Sequence, residues 1–106
     1  MCKENISPDV VAVFIFNGTR KGFVRSGYRP GHLIDENYVT TGIHNYFDKD
    51  IVKPNEKAIG TITFLSPECY PHSLREGKNI SIIEGSHIVG QAMIVKVLNP
   101  LLKEDV

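Results

Sequence analysis

The 106-residue chain has no tryptophan, two cysteines, two methionines and no surplus of either charge, with twelve basic and twelve acidic residues. Each shortage removes a class of explanation. Two cysteines, Cys2 and Cys69, cannot build the disulfide framework of a small secreted scaffold, and they read as plain thiols of a reducing compartment. Balanced charge argues against tight non-specific nucleic-acid binding, because dedicated domains are strongly basic; a local patch remains compatible with it. No run of ~18 apolar residues occurs, so no spanning helix and no membrane are expected. The opening MCKENISPD lacks the apolar core of a secretory signal. A G-x-x-x-x-G-K-[ST] phosphate loop is missing, so neither nucleotide nor cofactor binding is expected. A cytoplasmic, freestanding single domain over 1–106 follows as the expectation, with a core between about Asp9 and Asn99.

What the chain does have is β-rich segments. Val10–Phe16, VVAVFIF, is a continuous β-branched and aromatic run, too short for a stable helix. Gly22–Ser26 reads as a short strand. His32–Thr41 reads as a third, interrupted by the polar Asp35-Glu36-Asn37. A loop follows, with a short strand near Ile51-Val52. From Ala58 to Leu65, Ile59, Thr61 and Thr63 alternate with Gly60, Ile62 and Phe64, the period of a half-buried strand. Ser66–Lys78 reads as loop. Ile80–Ile83 and Ile88–Leu98 then form a hairpin around Glu84-Gly85-Ser86-His87, and 100–106 reads as a polar tail. No window carries a helical face, so the chain is expected to be all-β, a sandwich or a barrel.

Chemistry-bearing residues are sparse. Cys69 and His72 lie three apart, a pairing that serves a nucleophile and its base or two zinc ligands, yet His32, His44 and His87 supply no matching ligand spacing. A small Cys/His hydrolase or metal protein is the least favoured reading, and no catalytic or metal residue is assigned. From Gly18 to Ile34 the chain carries Arg20, Lys21, Arg25 and Arg29 with no acid, and His32 adds a further potential cation. This is a patch for phosphate or for an acidic protein surface. Tyr46-Phe47 and Tyr70, read as loop residues, are candidate interface aromatics.

Four segments recur in one order: GYRP at 27–30, VTTG at 39–42, KPNEKAIGTITFLSP at 53–67 and IEGSHIVGQAMIVKVL at 83–98. Together they resemble the third, C-terminal domain of elongation factor Tu, over nearly the whole chain. The resemblance implies a closed, antiparallel six-stranded Greek-key barrel. It also implies that Arg29, Thr41, Glu84 and Gly85 share a face, which in that family meets the T stem of tRNA; Arg25 adds to it from the basic stretch. Four positions depart from the family: Gly31 stands where it has Gln, Ile83 where it has Arg, and Ser86-His87 where it has Gly-Arg. The loss of RNA-facing side chains favours a protein partner. The leading expectation is therefore a non-catalytic binding module, a mimic or accessory factor with a protein partner. A tRNA- or ribosome-associated factor using the basic hairpin is the alternative.

Overall fold

The structure, a computed structural model, describes residues 7–20, 22–35 and 38–104. Cys2, Lys21, Glu36 and Asn37, on which parts of the sequence reading fall, lie outside the described residues. Eight strands form: β1 (Val10–Phe16), β2 (Val24–Arg25), β3 (Gly31–Asp35), β4 (Tyr38–Tyr46), β5 (Ile51–Val52), β6 (Lys57–Phe64), β7 (Asn79–Glu84) and β8 (His87–Val97). The helical content among the described residues is one 3-10 turn, Pro67–Cys69.

Six strands close into an antiparallel barrel in the order β1-β6-β4-β3-β7-β8, and β2 pairs with β5 as a small ribbon beside it. Closure leaves the barrel no open edge. The all-β, closed six-stranded barrel agrees with the expectation. The segment read as one interrupted strand, 32–41, is instead two: Leu33 pairs with Val39 across antiparallel β3 and β4, and β4 runs on to Tyr46. The polar tail also differs. Leu102 is fully buried, Leu74 bridges to Lys103, and the Leu74 amide bonds the Leu102 carbonyl, so residues 100–104 pack back on the loop after β6.

Inward positions of β1, β6 and β8 carry the apolar centre, including Phe14, Ile62 and Ile94. At Gly60 the β4 and β6 backbones approach so closely that a Cβ would lie 2.1 Å from the Asn45 carbonyl oxygen. Only glycine fits there. Asp9 clasps the two ends of the barrel. Its carboxylate accepts from the Phe64 amide at 2.7 Å and from Asn99 Nδ2 at 2.8 Å, while its carbonyl accepts from the Leu98 and Asn99 amides. Among the described residues, every buried side-chain nitrogen and oxygen has a hydrogen-bond partner, and no helix is long and apolar enough to cross a membrane.

Candidate binding face

β4 departs from the usual alternation. Its inward positions are Thr40, Gly42, His44 and Tyr46, while Val39, Thr41, Ile43 and Asn45 point outward. The more apolar set is thus outside. The outward row crosses three strands, since Thr41 pairs with Gly31 and Gly31 pairs with Ile83. At ordinary strand spacing this row spans about 10 Å. Val39 is 52% exposed and stands beside Leu33. A Cβ at Gly31 would lie 3.0 Å from Val39 Cγ1, so the valine leans over the glycine and closes the surface there.

The segment before β3 continues this sheet. The His44 amide donates to the Tyr28 carbonyl at 2.9 Å and the Gly42 amide to the Pro30 carbonyl at 3.2 Å. Residues 28–30 therefore extend the β3 ladder along β4, which sets Arg29 beside Ile43 on the outside. Arg29 is exposed and makes no ion pair among the described residues. Gly85 forms the β7–β8 tip with φ 61°, one residue beyond the strand that carries Ile83. Arg29, Thr41 and Gly85 are thus brought to one region by register.

Glu84 is engaged within the fold. Arg20 Nε donates to its Oε2 at 2.5 Å, and the Tyr28 hydroxyl donates to the same oxygen. The Arg20 guanidinium sits 5.3 Å over the Tyr28 ring, a cation–π contact. Burial alone would raise the Glu84 pKa; the two hydrogen bonds outweigh it and hold the carboxyl below its ordinary range. The tyrosine responds in the opposite sense, raised by burial and by donation to the carboxylate. Glu84 thus ties the hairpin tip to the 20–28 loop rather than offering a free carboxylate.

Arg25 lies off this face. Its guanidinium stacks 5.5 Å over the half-exposed Phe23 ring. It lines two open concavities of about 410 and 460 Å³, which share Arg25 and Ser26; Lys49 and Asp50 of opposite sign also line the larger. Three other expectations are corrected. His32, counted as a potential surface cation, is fully buried. Tyr46 and Tyr70, read as loop interface aromatics, are buried in the core, and Phe47, 58% exposed, is the aromatic that remains available. The Cys69 thiol pairs with the Tyr38 hydroxyl, and His72 Nδ1 donates to the Lys103 carbonyl at 2.9 Å. Among the described residues no three His, Cys, Asp or Glu side chains are placed to hold a metal ion.

Sequence reasoning missed a polar chain directly beneath the face. His32 Nε2 and His44 Nε2 are 2.8 Å apart, and both side chains are fully buried. His32 Nδ1 lies 3.3 Å from the Thr40 carbonyl, and His44 Nδ1 lies 2.8 Å from the Tyr46 hydroxyl. A carbonyl only accepts, which fixes every proton in the chain. Tyr46 O–H donates to His44 Nδ1, His44 Nε2–H donates to His32 Nε2, and His32 Nδ1–H donates to Thr40. Both imidazoles are neutral. Burial lowers the His32 pKa to about 4, against a smaller raising effect of the Thr40 bond. His44 is held well below the ordinary histidine value by burial and then by the charge of its partner. Gly42 makes the room: a Cβ there would lie 2.9 Å from His32 Cε1 and 2.6 Å from Ile62 Cγ2.

No protein-family model matches this chain, and no curated protein matches it in sequence.

Proposed function

We propose that the protein is a non-catalytic binding module that docks a protein partner on the outer face of β3, β4 and the β7 end. The observation that carries this reading is the face's chemistry. Leu33, Val39, Thr41, Ile43 and Ile83 present a largely aliphatic surface, with Asp35 exposed at the far end of β3 and Arg29 exposed at the other edge, free of any ion pair among the described residues. An apolar centre with a charge at its edge suits a protein interface. RNA would call for several cations along its phosphates, and here Arg20 is already paired with Glu84 while Arg25 belongs to the β2–β5 ribbon rather than to this face. The elongation-factor-like segment order supports a binding role for this region, because its tRNA-facing positions there include Arg29 and Thr41; the loss of RNA-facing side chains at Gly31, Ile83 and Ser86-His87 favours protein over RNA. As a mimic or accessory factor in translation, the module would bind whatever recognises that barrel face.

A photo-crosslinking residue at position 41, introduced in the chain's host, tests this. The expected product is an adduct that resists nuclease, is removed by protease, and is lost in Val39→Asp. A nuclease-sensitive adduct would favour the RNA-binding alternative. No adduct at position 41, with adducts forming from Phe23 instead, would move the functional surface to the Arg25 concavities.

A further inference from the structure

We infer that the buried His32–His44 pair is an acid-responsive latch: proton uptake reverses and then breaks its hydrogen-bond chain, loosening the β3–β4 seam and so disordering the outer face built on those two strands. This rests on the docking reading only for its consequence, release of the partner; the latch itself is a property of the barrel.

The geometry makes the latch sensitive to one proton. If His32 gains a proton at Nε2, His44 must turn its Nε2 into an acceptor and carry its own proton on Nδ1. That N–H then points at the Tyr46 hydroxyl, which must accept and leave its own O–H without its present acceptor. A second proton places two N–H groups head to head at 2.8 Å, and the contact cannot persist. One proton therefore reverses the chain, and two break it.

Among the described residues, no buried anion lies free to receive the charge. Phe14 and Phe16 pack on His44 from β1, and Phe64 packs on His32 from β6. Tyr28, which packs edge-on to His44, and Tyr46 are neutral phenols with raised pKa values. Beyond Tyr28 lie Glu84 and Arg20, already paired with each other. Beyond Phe64 lie Tyr70, pushed up to about 12, and Asp9, whose two oxygens are taken by the Phe64 amide and Asn99. An imidazolium here would be desolvated and unpaired. The backbone consequence is local, because His32, Thr40 and His44 alternate along the strands with Gly31, Thr41 and Ile43 of the outer face.

Amide hydrogen exchange on the isotopically labelled full chain, from about pH 8 to about pH 4, tests the latch without a partner. After correction for intrinsic rates, the His32, Thr40, Gly42 and His44 amides of the β3–β4 seam should exchange about twentyfold faster at pH 5 than at pH 7. The Ile15 and Gln91 amides, on the far β1–β8 seam, should hold. His32→Gln keeps a donor for Thr40 and does not titrate, so it should lose most of the response. Imidazole nitrogen shifts of the wild type give a second readout if that variant does not fold: they should report Nδ1–H on His32 and Nε2–H on His44 at neutral pH. Equal acceleration of both seams would show global acid unfolding and overturn the latch, as would an unresponsive β3–β4 seam, a response retained in His32→Gln, or the opposite tautomers. Loss of the position-41 adduct at neutral pH would sink the docking reading and leave these measurements standing.

Discussion

β6 and β4 are neighbours in the same barrel, paired from Gly42–Phe64 to Tyr46–Gly60, yet they are built on opposite plans. β6 puts Gly60, Ile62 and Phe64 inside and Ile59 and Thr63 outside. β4 puts a threonine, a glycine, a histidine and a tyrosine inside and turns Val39 and Ile43 out. The first strand is held by burial of apolar area. The second is held by a directed hydrogen-bond chain, which is stable only while each member has its partner. The inversion also leaves aliphatic side chains on the outside, where a binding face can use them. Structure and candidate function part company along β6 and coincide along β4.

The harshest way to break the comparison is to separate the two strands. Gly60→Ala would place a methyl 2.1 Å from the Asn45 carbonyl. Backbone cannot move aside cheaply, so a loss of about 4 kcal/mol or more is expected, or no soluble protein. Urea unfolding followed by circular dichroism measures it. A loss below about 1 kcal/mol would mean the β4–β6 approach is looser than described.

The next test acts on β4 alone. His44→Leu leaves His32 Nε2 and the Tyr46 hydroxyl without partners. Buried groups stranded in this way cost about 1–3 kcal/mol each. The double change with His32→Leu strands fewer groups and should cost less than the two single changes added together. The pH profile follows from the same chain. The His32 pKa is near 4 in the folded state, below the 6.5 of an exposed histidine, so the unfolded chain binds the proton first. Stability is therefore complete above about pH 6.5 and falls by about 3 kcal/mol as pH drops towards 4. In the double leucine variant that part of the slope should vanish. An unchanged slope would assign acid sensitivity to the carboxylates instead.

How far each strand could be read from sequence follows from the same contrast. β6 was legible because its inward set is the more apolar, and period-two alternation reports that directly. β1 and the closing hairpin were legible for a related reason, a run of β-branched and aromatic residues bounded by turn residues. In sequence β4 reads only as the end of one interrupted strand, and alternation alone would turn Val39 and Ile43 inward and His44 outward. His32, following four cations in sequence, looked like a fifth surface charge. The inward phase could have been found from Gly31-His32-Leu33-Ile34, where His32 shares its parity with Ile34, had β3 been separated from β4. The convergence of Arg29, Thr41 and Gly85 was legible only through motif order, since their register passes through three strands. The closure of Glu84 by Arg20 and Tyr28 was not legible at all, because contacts 64 and 56 residues apart leave no local signal.

A milder change separates the loop clasp from the barrel. Glu84→Gln removes the charge opposite Arg20 and weakens what Tyr28 donates to. The pair is partly exposed, so its loss should cost no more than about 1 kcal/mol. The effect should shrink further in high salt. If the clasp holds the hairpin tip against the 20–28 loop, exchange of the Gly85 and Tyr28 amides should rise while β1 is unaffected. A melting shift as large as that of His44→Leu would place the clasp on a par with the buried chain and remove the distinction between them.

The smallest expected effect on stability belongs to Arg29→Ala, and its size decides what GYRP is for. The backbone of this segment is structural: the Tyr28 and Pro30 carbonyls receive the β4 amides, and the Tyr28 ring covers His44. Arg29 alternates away from those contacts and is exposed, with no carboxylate beside it among the described residues. Truncation should therefore leave stability within about 0.5 kcal/mol of wild type, as for a surface substitution that breaks no specific contact. The nuclease-resistant adduct formed from position 41 should fall sharply, because Arg29, which makes no ion pair among the described residues, no longer borders the aliphatic face. A buried ion pair would behave in the opposite way, costing about 3–5 kcal/mol through the stranded partner. A large fall in stability with normal partner capture would make Arg29 part of the architecture and move the binding determinant elsewhere on the barrel. A neutral result in both measurements would leave Val39 and Ile43, the apolar residues that β4 turns outward, to account for docking without a charge.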